Sequence, residues 1–301
     1  MTKTKAWIKA IRIRTLPLSV AGILMGSFIA YGHGYWDNLI FWLAIATTLF
    51  FQILSNLAND FGDSKKGADN ESRVGPMRAI QSGVVSSKEM LIAIVICSLF
   101  SLFSALLLIY FGVRGMGATV WLSYLVLAVL CIVAAITYTV GKKAYGYSGW
   151  GDVMVFLFFG VVSVVGVYPL FSKVLDLTLL LPAVTIGLLS VAVLNLNNMR
   201  DQINDAAVGK QTLVVKWGFK KSKKYHILLI LVSFMSLTVF LVLEEWYLSL
   251  FSLFPFLVLF KHMFLVWKTE EPVDLDPELK KVALSTFFIS VLFLITILLW
   301  S

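Results

Sequence analysis

The sequence predicts an all-α, polytopic membrane protein, and three observations carry that prediction. Hydrophobic residues fill 59% of the 301 positions and charged residues only 14%, against about 45–50% and about 25% in soluble domains. Mean hydropathy is +0.88, and a soluble fold of this size has too little interior to bury so much apolar side chain. The chain also contains nine apolar stretches near the ~20 residues that a bilayer-crossing helix needs. Lysine and arginine crowd into alternate connections between those stretches.

Taken in order, the first fourteen residues mix Lys3, Lys5, Lys9, Arg12 and Arg14 with Trp7, Ile8, Ile11 and Ile13. That pattern predicts an amphipathic helix on the membrane surface. It lacks the small-residue cleavage site of a removable signal peptide. Spans are then expected at about 15–33, 38–59, 89–112, 118–140, 152–172, 177–199, 225–243, 246–266 and 282–300. A single integral membrane domain over residues 1–301 is expected.

Orientation comes from the basic residues. With the N-terminus in the cytoplasm, the inside segments collect every Lys and Arg, Arg73 included, except Arg114, Lys173 and Lys261. The expectation is a multi-pass protein of a bacterial inner (plasma) membrane, N-terminus in and C-terminus out. A basic face against anionic lipid accounts for the net charge of +8 without nucleic acid. Cys97 and Cys131 lie within apolar runs and predict no disulfide. His33, His226 and His262 lack metal-ligand spacing. No GxSxG elbow and no P-loop occurs.

Two polar clusters break the pattern, one at the end of span two and one at the end of span six. Asn56, Asn59, Asp60 and Asp63 stand at i, i+3, i+4 and i+7, and Asn197, Asp201 and Asp205 at i, i+4 and i+8. On a helix each set shares one face. Ionisable groups this close to hydrocarbon are costly and usually functional. A divalent cation between them removes their repulsion, and hard oxygen donors beside substrate phosphate suit Mg²⁺. If the clusters face each other, Asp60, Asp63, Asp201 and Asp205 place four carboxylates on one cavity. Both clusters precede long charged connections, which hints at an internal duplication. A cation-coupled secondary transporter is the alternative from another class, but transporters tend to carry such groups near the bilayer midplane.

Asn59-Asp60-x-x-Asp63 and Asp201-x-x-x-Asp205 resemble the two aspartate-rich motifs of the UbiA superfamily of intramembrane aromatic prenyltransferases. Four stretches are most similar to its 1,4-dihydroxy-2-naphthoate polyprenyltransferase branch: 14–19, 56–69, 145–152, and 197–205 running on to 209–212. The last third matches only as hydrophobic spans. Where many members read Gly-Leu-Gly-Glu, this chain has Gly149-Trp-Gly-Asp152.

The resemblance implies a nine-helix UbiA-like bundle around a central cavity open to lipid. It implies transfer of a polyprenyl group from polyprenyl diphosphate to 1,4-dihydroxy-2-naphthoate, with decarboxylation, to give demethylmenaquinone. A sibling enzyme using 4-hydroxybenzoate or homogentisate is the alternative within the family. Mg²⁺ would bridge the diphosphate to Asn59, Asp63, Asp201 and Asp205, with Asp60 beside them. Asn56, Asn59, Asn197 and Asn198 would be the cofactor-binding residues, Asn197 like Asp60 as a nearby or outer ligand. Arg78, Lys142 and Lys143 are the expected cations against the departing diphosphate, with Lys210 a further one. Phe156, Phe158, Phe159 and Tyr138 could shield an allylic cation, and Arg14 could hold the acceptor carboxylate. The connections over 60–88 and 200–224 are expected to order on substrate binding.

Overall fold

The computed structural model describes residues 2–70 and 74–300; Arg73 lies outside them. Nine segments among these residues are long and apolar enough to cross a membrane, at the positions the hydropathy predicts. No strand occurs among the described residues.

Helix α1 (Lys3–Ile11) is the expected surface helix. The Thr2 hydroxyl caps it by accepting from the Lys5 N–H, and Arg12 ends it in left-handed backbone. A tight turn over Ile13–Thr15 leads into α2 (Leu16–Gly32), which has a proline in its first turn. Helix α3 (Asn38–Lys65) starts on Asp37, whose carboxylate accepts the Leu39 and Ile40 N–H groups. Helix α4 (Ser87–Gly112) starts on a capping box between Ser86 and Glu89. Then follow α5 (Ala118–Thr137), α6 (Gly151–Ser172), α7 (Leu180–Ala207), α8 (Phe219–Leu243), α9 (Pro255–Lys268) and α10 (Asp276–Trp300).

Several boundaries differ from the hydropathy reading, among them the starts of α8 at Phe219 and α10 at Asp276, ahead of the expected 225 and 282. Helices α3 and α7 run to Lys65 and Ala207 rather than stopping near 59 and 199. Hydropathy marks where lipid ends, whereas backbone hydrogen bonding continues into polar sequence, so both acidic clusters ride on helix. Helix α5 stops at Thr137, and the chain turns at Gly141 with φ 98°.

The interior is made by α2, α7 and α10, the most buried spans, while α5 is the least buried. Helix α2 packs on α10, α6 and α3; α7 packs on α8, α6 and α10. Helices α3, α4 and α5 form a second group. A smaller core lies there, with Leu54 and Met90 fully buried beneath Ala6 and Ala10 of α1. Truncating either to alanine would cost about 2–5 kcal/mol.

Helix α6 is irregular: Phe156–Val165 forms a π-helix, a form common at functional sites. Glycines let its neighbours close in. A Cβ on Gly160 would meet the Ala183 carbonyl oxygen at 2.5 Å and Gly187 Cα at 2.8 Å, and one on Gly22 would meet Ser163 Oγ at 1.9 Å. These contacts lock α6 between α2 and α7.

Candidate active site

A cavity of about 630 Å³ runs between the two helix groups. Apolar side chains line its long wall, among them Phe158, Phe159, Val162, Leu108 and Leu127. Its polar end holds Asn59 and Asp63 from α3, Asn197 from α7, and Arg78 and Lys210 from the adjoining connections.

Asp63 is half-buried on the last turns of α3 and accepts a hydrogen bond from the Tyr147 hydroxyl at 2.8 Å. Lys66 Nζ lies 3.9 Å from the Tyr147 ring centre and Lys210 Nζ 5.7 Å from it. Burial first, then the charges of Asp63, Asp205 and Asp69, raise the Tyr147 phenol above its ordinary range. The phenol therefore stays a donor. Burial also lowers the Lys66 ammonium below its usual value, opposed by Asp63. Asn59 Oδ1 accepts from the Thr139 hydroxyl at 3.2 Å.

The second cluster meets the first through its loop: Asn204 Nδ2 donates to the Ala68 carbonyl at 3.0 Å. Asp205, 3% exposed, accepts from Lys210 Nζ at 3.2 Å through Oδ1, while Oδ2 is buried without a hydrogen-bond partner. Asp201 is differently placed. Arg200 Nε and Nη2 reach its two oxygens at 2.8 and 2.7 Å, Nη1 reaches Asp276 at 2.5 Å, and Nη2 reaches Asn197 Oδ1 at 2.9 Å. The Arg200 side chain is fully buried. This bidentate fork satisfies Asp201 within the protein.

Several expected residues hold structure around the cavity. Asp60, fully buried, accepts the Ala79 and Ile80 N–H groups at 3.0 and 3.3 Å, which fixes the loop that carries Arg78. Arg78 Nε faces Asp69 at 3.7 Å. Asn56 Nδ2 donates to the Ile11 carbonyl at 2.8 Å and to Thr15 Oγ1 at 3.2 Å, although part of the residue still lines the cavity. Asn198 is buried outside the lining. Lys142 and Lys143 are exposed on the turn after α5 and do not line the cavity; the early end of α5 and the turn at Gly141 carry them clear. Tyr138, Phe158 and Phe159 line the wall, whereas Phe156 packs on Gly187. His226 and His262, far apart in sequence, share a hydrogen bond at 2.8 Å, and His262 Nδ1 lies 2.5 Å from Glu278.

The motif reading did not single out Tyr147, Lys66, Asp69, Arg200 or Asp276. Tyr147 falls within the 145–152 stretch that carries the resemblance, which was the available signal. Arg200 sits inside the second cluster but reads there as one more basic residue at a membrane edge.

Among the described residues no three His, Cys, Asp or Glu side chains converge into a complete metal site. The donor set still fits a hard cation. Asn59 and Asp63 are oxygen donors at one cavity end, the partnerless oxygen of Asp205 lies on the carboxylate that holds the cavity-lining Lys210, and Mg²⁺ typically completes its shell with substrate phosphate and water.

Nine spans around a cavity with an apolar wall and an end of carboxylates and cations define a polytopic membrane protein suited to a lipid-tailed, phosphorylated molecule. The chain belongs to the UbiA prenyltransferase family, whose model matches residues 19–292. It is 40% identical over 300 residues to the 1,4-dihydroxy-2-naphthoate octaprenyltransferase of Haemophilus influenzae, covering 97% of this chain and 95% of that one. The enzyme of that description from Escherichia coli is 39% identical over 305 residues, covering 99% and 97%. A UbiA homologue from Archaeoglobus fulgidus, solved with DMAPP and Mg²⁺, shares the fold with a TM-score of 0.66 at 14% identity, covering 98% of both chains.

Proposed function

We propose that this protein is a Mg²⁺-dependent 1,4-dihydroxy-2-naphthoate polyprenyltransferase of menaquinone biosynthesis. It transfers a polyprenyl group from polyprenyl diphosphate to the naphthoate ring, with release of diphosphate and CO₂, to give demethylmenaquinone in its reduced, quinol form. The observation that carries this is near end-to-end identity of 39–40% to relatives of that description. The likeness extends through the last third of the chain, where the motifs are silent.

In this reading Asn59, Asp63 and Asp205 hold the metal. Asp201, locked on Arg200, fixes the end of α7 rather than supplying a ligand. Mg²⁺, when bound, offsets the charge that gathers on the departing diphosphate. Arg78 and Lys210 lie at the same end of the cavity and add to that stabilisation. The Phe158, Phe159 and Tyr138 wall excludes water from the allylic carbon and offers ring faces to positive charge. The polyprenyl tail lies along the apolar wall toward lipid. The acidic ends of α3 and α7, with the basic connections that follow them, face the cytoplasm of a bacterial cell, and the N-terminus lies on that side of the plasma membrane.

The test incubates membranes containing the protein with farnesyl diphosphate, Mg²⁺ and 1,4-dihydroxy-2-naphthoate, with 4-hydroxybenzoate in parallel. A prenylated, decarboxylated naphthalene product, lost with Asp63→Ala or with EDTA, is expected. Product from hydroxybenzoate alone would move the acceptor to the sibling branch. No product from either acceptor, with a longer donor also tried, would overturn the enzyme reading.

A further inference from the structure

The cavity is sealed at the end away from its carboxylates. Leu170 lines that end, is 2% exposed and sits on Gly112, where an added Cβ would meet the Leu170 Cβ at 3.1 Å. Lys173 Nζ clamps the contact by donating to the Gly112 and Leu170 carbonyls at 2.7 and 2.6 Å. Ala105 and Ile109 of α4, both buried, close in beside Leu170. On another side α2 packs along α10, and Ser290 Oγ donates across that pair to the Ala21 carbonyl at 2.9 Å.

One long seam is built differently. Helices α5 and α6 follow one another in sequence and both line the cavity, yet α5 packs on α3 and α4 and scarcely meets α6. Two tyrosine hydroxyls mark the ends of the seam. Near the polar end Tyr145, on the connection, donates to the Ala134 carbonyl at 2.8 Å. Farther in, the cavity-lining Tyr124 donates to the Gly166 carbonyl at 2.8 Å. Among the described residues this is the one hydrogen bond between α5 and α6 themselves. The end of the π-helical stretch supplies its acceptor: the Leu170 N–H donates to the Val167 carbonyl at 3.1 Å rather than to Gly166, and a buried carbonyl needs a partner. From Tyr124 to Ala134, α5 rises about 15 Å and turns Leu127, Ala128 and Cys131 toward the cavity.

A sealed end limits how much apolar chain the cavity can take in. The remainder of a long tail must leave sideways, and an apolar tail is as well solvated by lipid as by apolar side chains. The seam with the least packing offers the route. Granted the prenyl transfer proposed above, we propose that a long donor tail passes into lipid between α5 and α6, and that Tyr124, bonded to Gly166, is the positioning residue that fixes the far limit of that opening and so the response to donor length.

The experiment uses the full-length protein in membranes with Mg²⁺ and an octaprenyl diphosphate that carries a photoreactive group midway along its tail. Labelling should fall on the lipid-facing flanks of the seam, around Leu130 of α5 and Leu157 of α6, both exposed, and excess farnesyl diphosphate should displace it. Tyr124→Phe keeps the ring and removes the bond to Gly166. It should raise the KM for octaprenyl diphosphate relative to that for farnesyl diphosphate by about two- to tenfold, the scale of one hydrogen bond, with kcat for the long donor little changed. Labelling confined to α2 and α10, or to the far end around Leu170, would overturn the proposal while leaving the prenyl transfer reading intact, as would an unchanged KM ratio in a folded Tyr124→Phe protein. The labelling is read on wild type, so it decides the matter where that variant folds poorly. Labelling that farnesyl diphosphate fails to displace would count against donor binding itself, and the prenyl transfer reading would fall with the proposal.

Discussion

The Tyr147 hydroxyl donates to Asp63 at 2.8 Å while Lys66 lies against the Tyr147 ring at 3.9 Å. One aromatic side chain from the connection between α5 and α6 therefore sets both the direction of a cavity carboxylate and the place of a neighbouring cation. Its hydrogen bond to a charged acceptor is of the class that contributes about 1.5–3 kcal/mol. Tyr147→Phe should accordingly lower kcat/KM by about ten- to a hundredfold, and Tyr147→Ala by more, since Lys66 then loses the ring. Steady-state kinetics over a range of Mg²⁺ concentrations checks this; equal activity of the phenylalanine variant would remove Tyr147 from the site.

Asp60 acts on the loop after α3. Its carboxylate accepts two backbone N–H groups two residues or fewer from Arg78. Asp60→Ala leaves both donors buried without a partner and should destabilise the loop by about 2–4 kcal/mol. Limited proteolysis should then cut within residues 67–86 faster than in wild type, while the spans keep their protection. Asp60→Asn retains one acceptor oxygen and should fall between the two.

Arg200 joins Asp201, Asn197 and Asp276 and so ties α7 to the start of α10. Removing one partner of a buried pair typically costs about 3–5 kcal/mol. Thermal unfolding in detergent should show that loss for Arg200→Ala. In a double-mutant cycle, Arg200→Ala with Asp201→Ala should be less destabilised than the sum of the single changes. Additive effects would mean that the fork contributes no coupling.

The cations divide by position. Arg78→Ala should reduce turnover, since Arg78 lines the cavity. Lys142→Ala and Lys143→Ala, on an exposed turn, should keep activity within about twofold, as surface changes usually do. Activity assays on matched expression levels decide between them, and a large loss at Lys142 or Lys143 would bring the turn after α5 back to the site.

None of the hydrogen-bonded His226, His262 and Glu278 lines the cavity. His262→Leu should leave His226 and Glu278 without their shared partner and lower thermal stability by about 2–4 kcal/mol. The folded fraction should keep its acceptor and donor KM values. A change in either KM would place this chain in the catalytic machinery.

The spans were legible because lipid imposes one simple demand on sequence, a run of apolar residues of fixed length, and the two acidic faces were legible because helical spacing maps directly onto sequence spacing. Asn59 and Asp63, which line the cavity, could be picked out that way. What could not be read was which polar residue spends its hydrogen bonds on the protein itself. Asn56 and Asn59 look alike in sequence, yet one holds the α1–α2 turn and the other faces Thr139 at the cavity. Asp60 and Asp201 were equally indistinct from Asp63, since their partners lie on the loop after α3 and on the neighbouring Arg200. The approach of His226 to His262, 36 residues apart, depends on how α8 and α9 fold back on one another, which no local pattern encodes.

The π-helical stretch of α6 also decides how the cavity wall is drawn. Met154, Val155, Phe158, Phe159, Val162, Ser163, Gly166, Val167 and Leu170 line the cavity, a repeat of four residues. A regular helix of 3.6 residues per turn would carry such a repeat steadily around its axis, away from the cavity. The wider turns over Phe156–Val165 wind in the compensating sense, so a mixed backbone keeps a straight track from the polar end toward the far end of the bundle. Substitution along that track alters its texture; only insertion or deletion alters its heading.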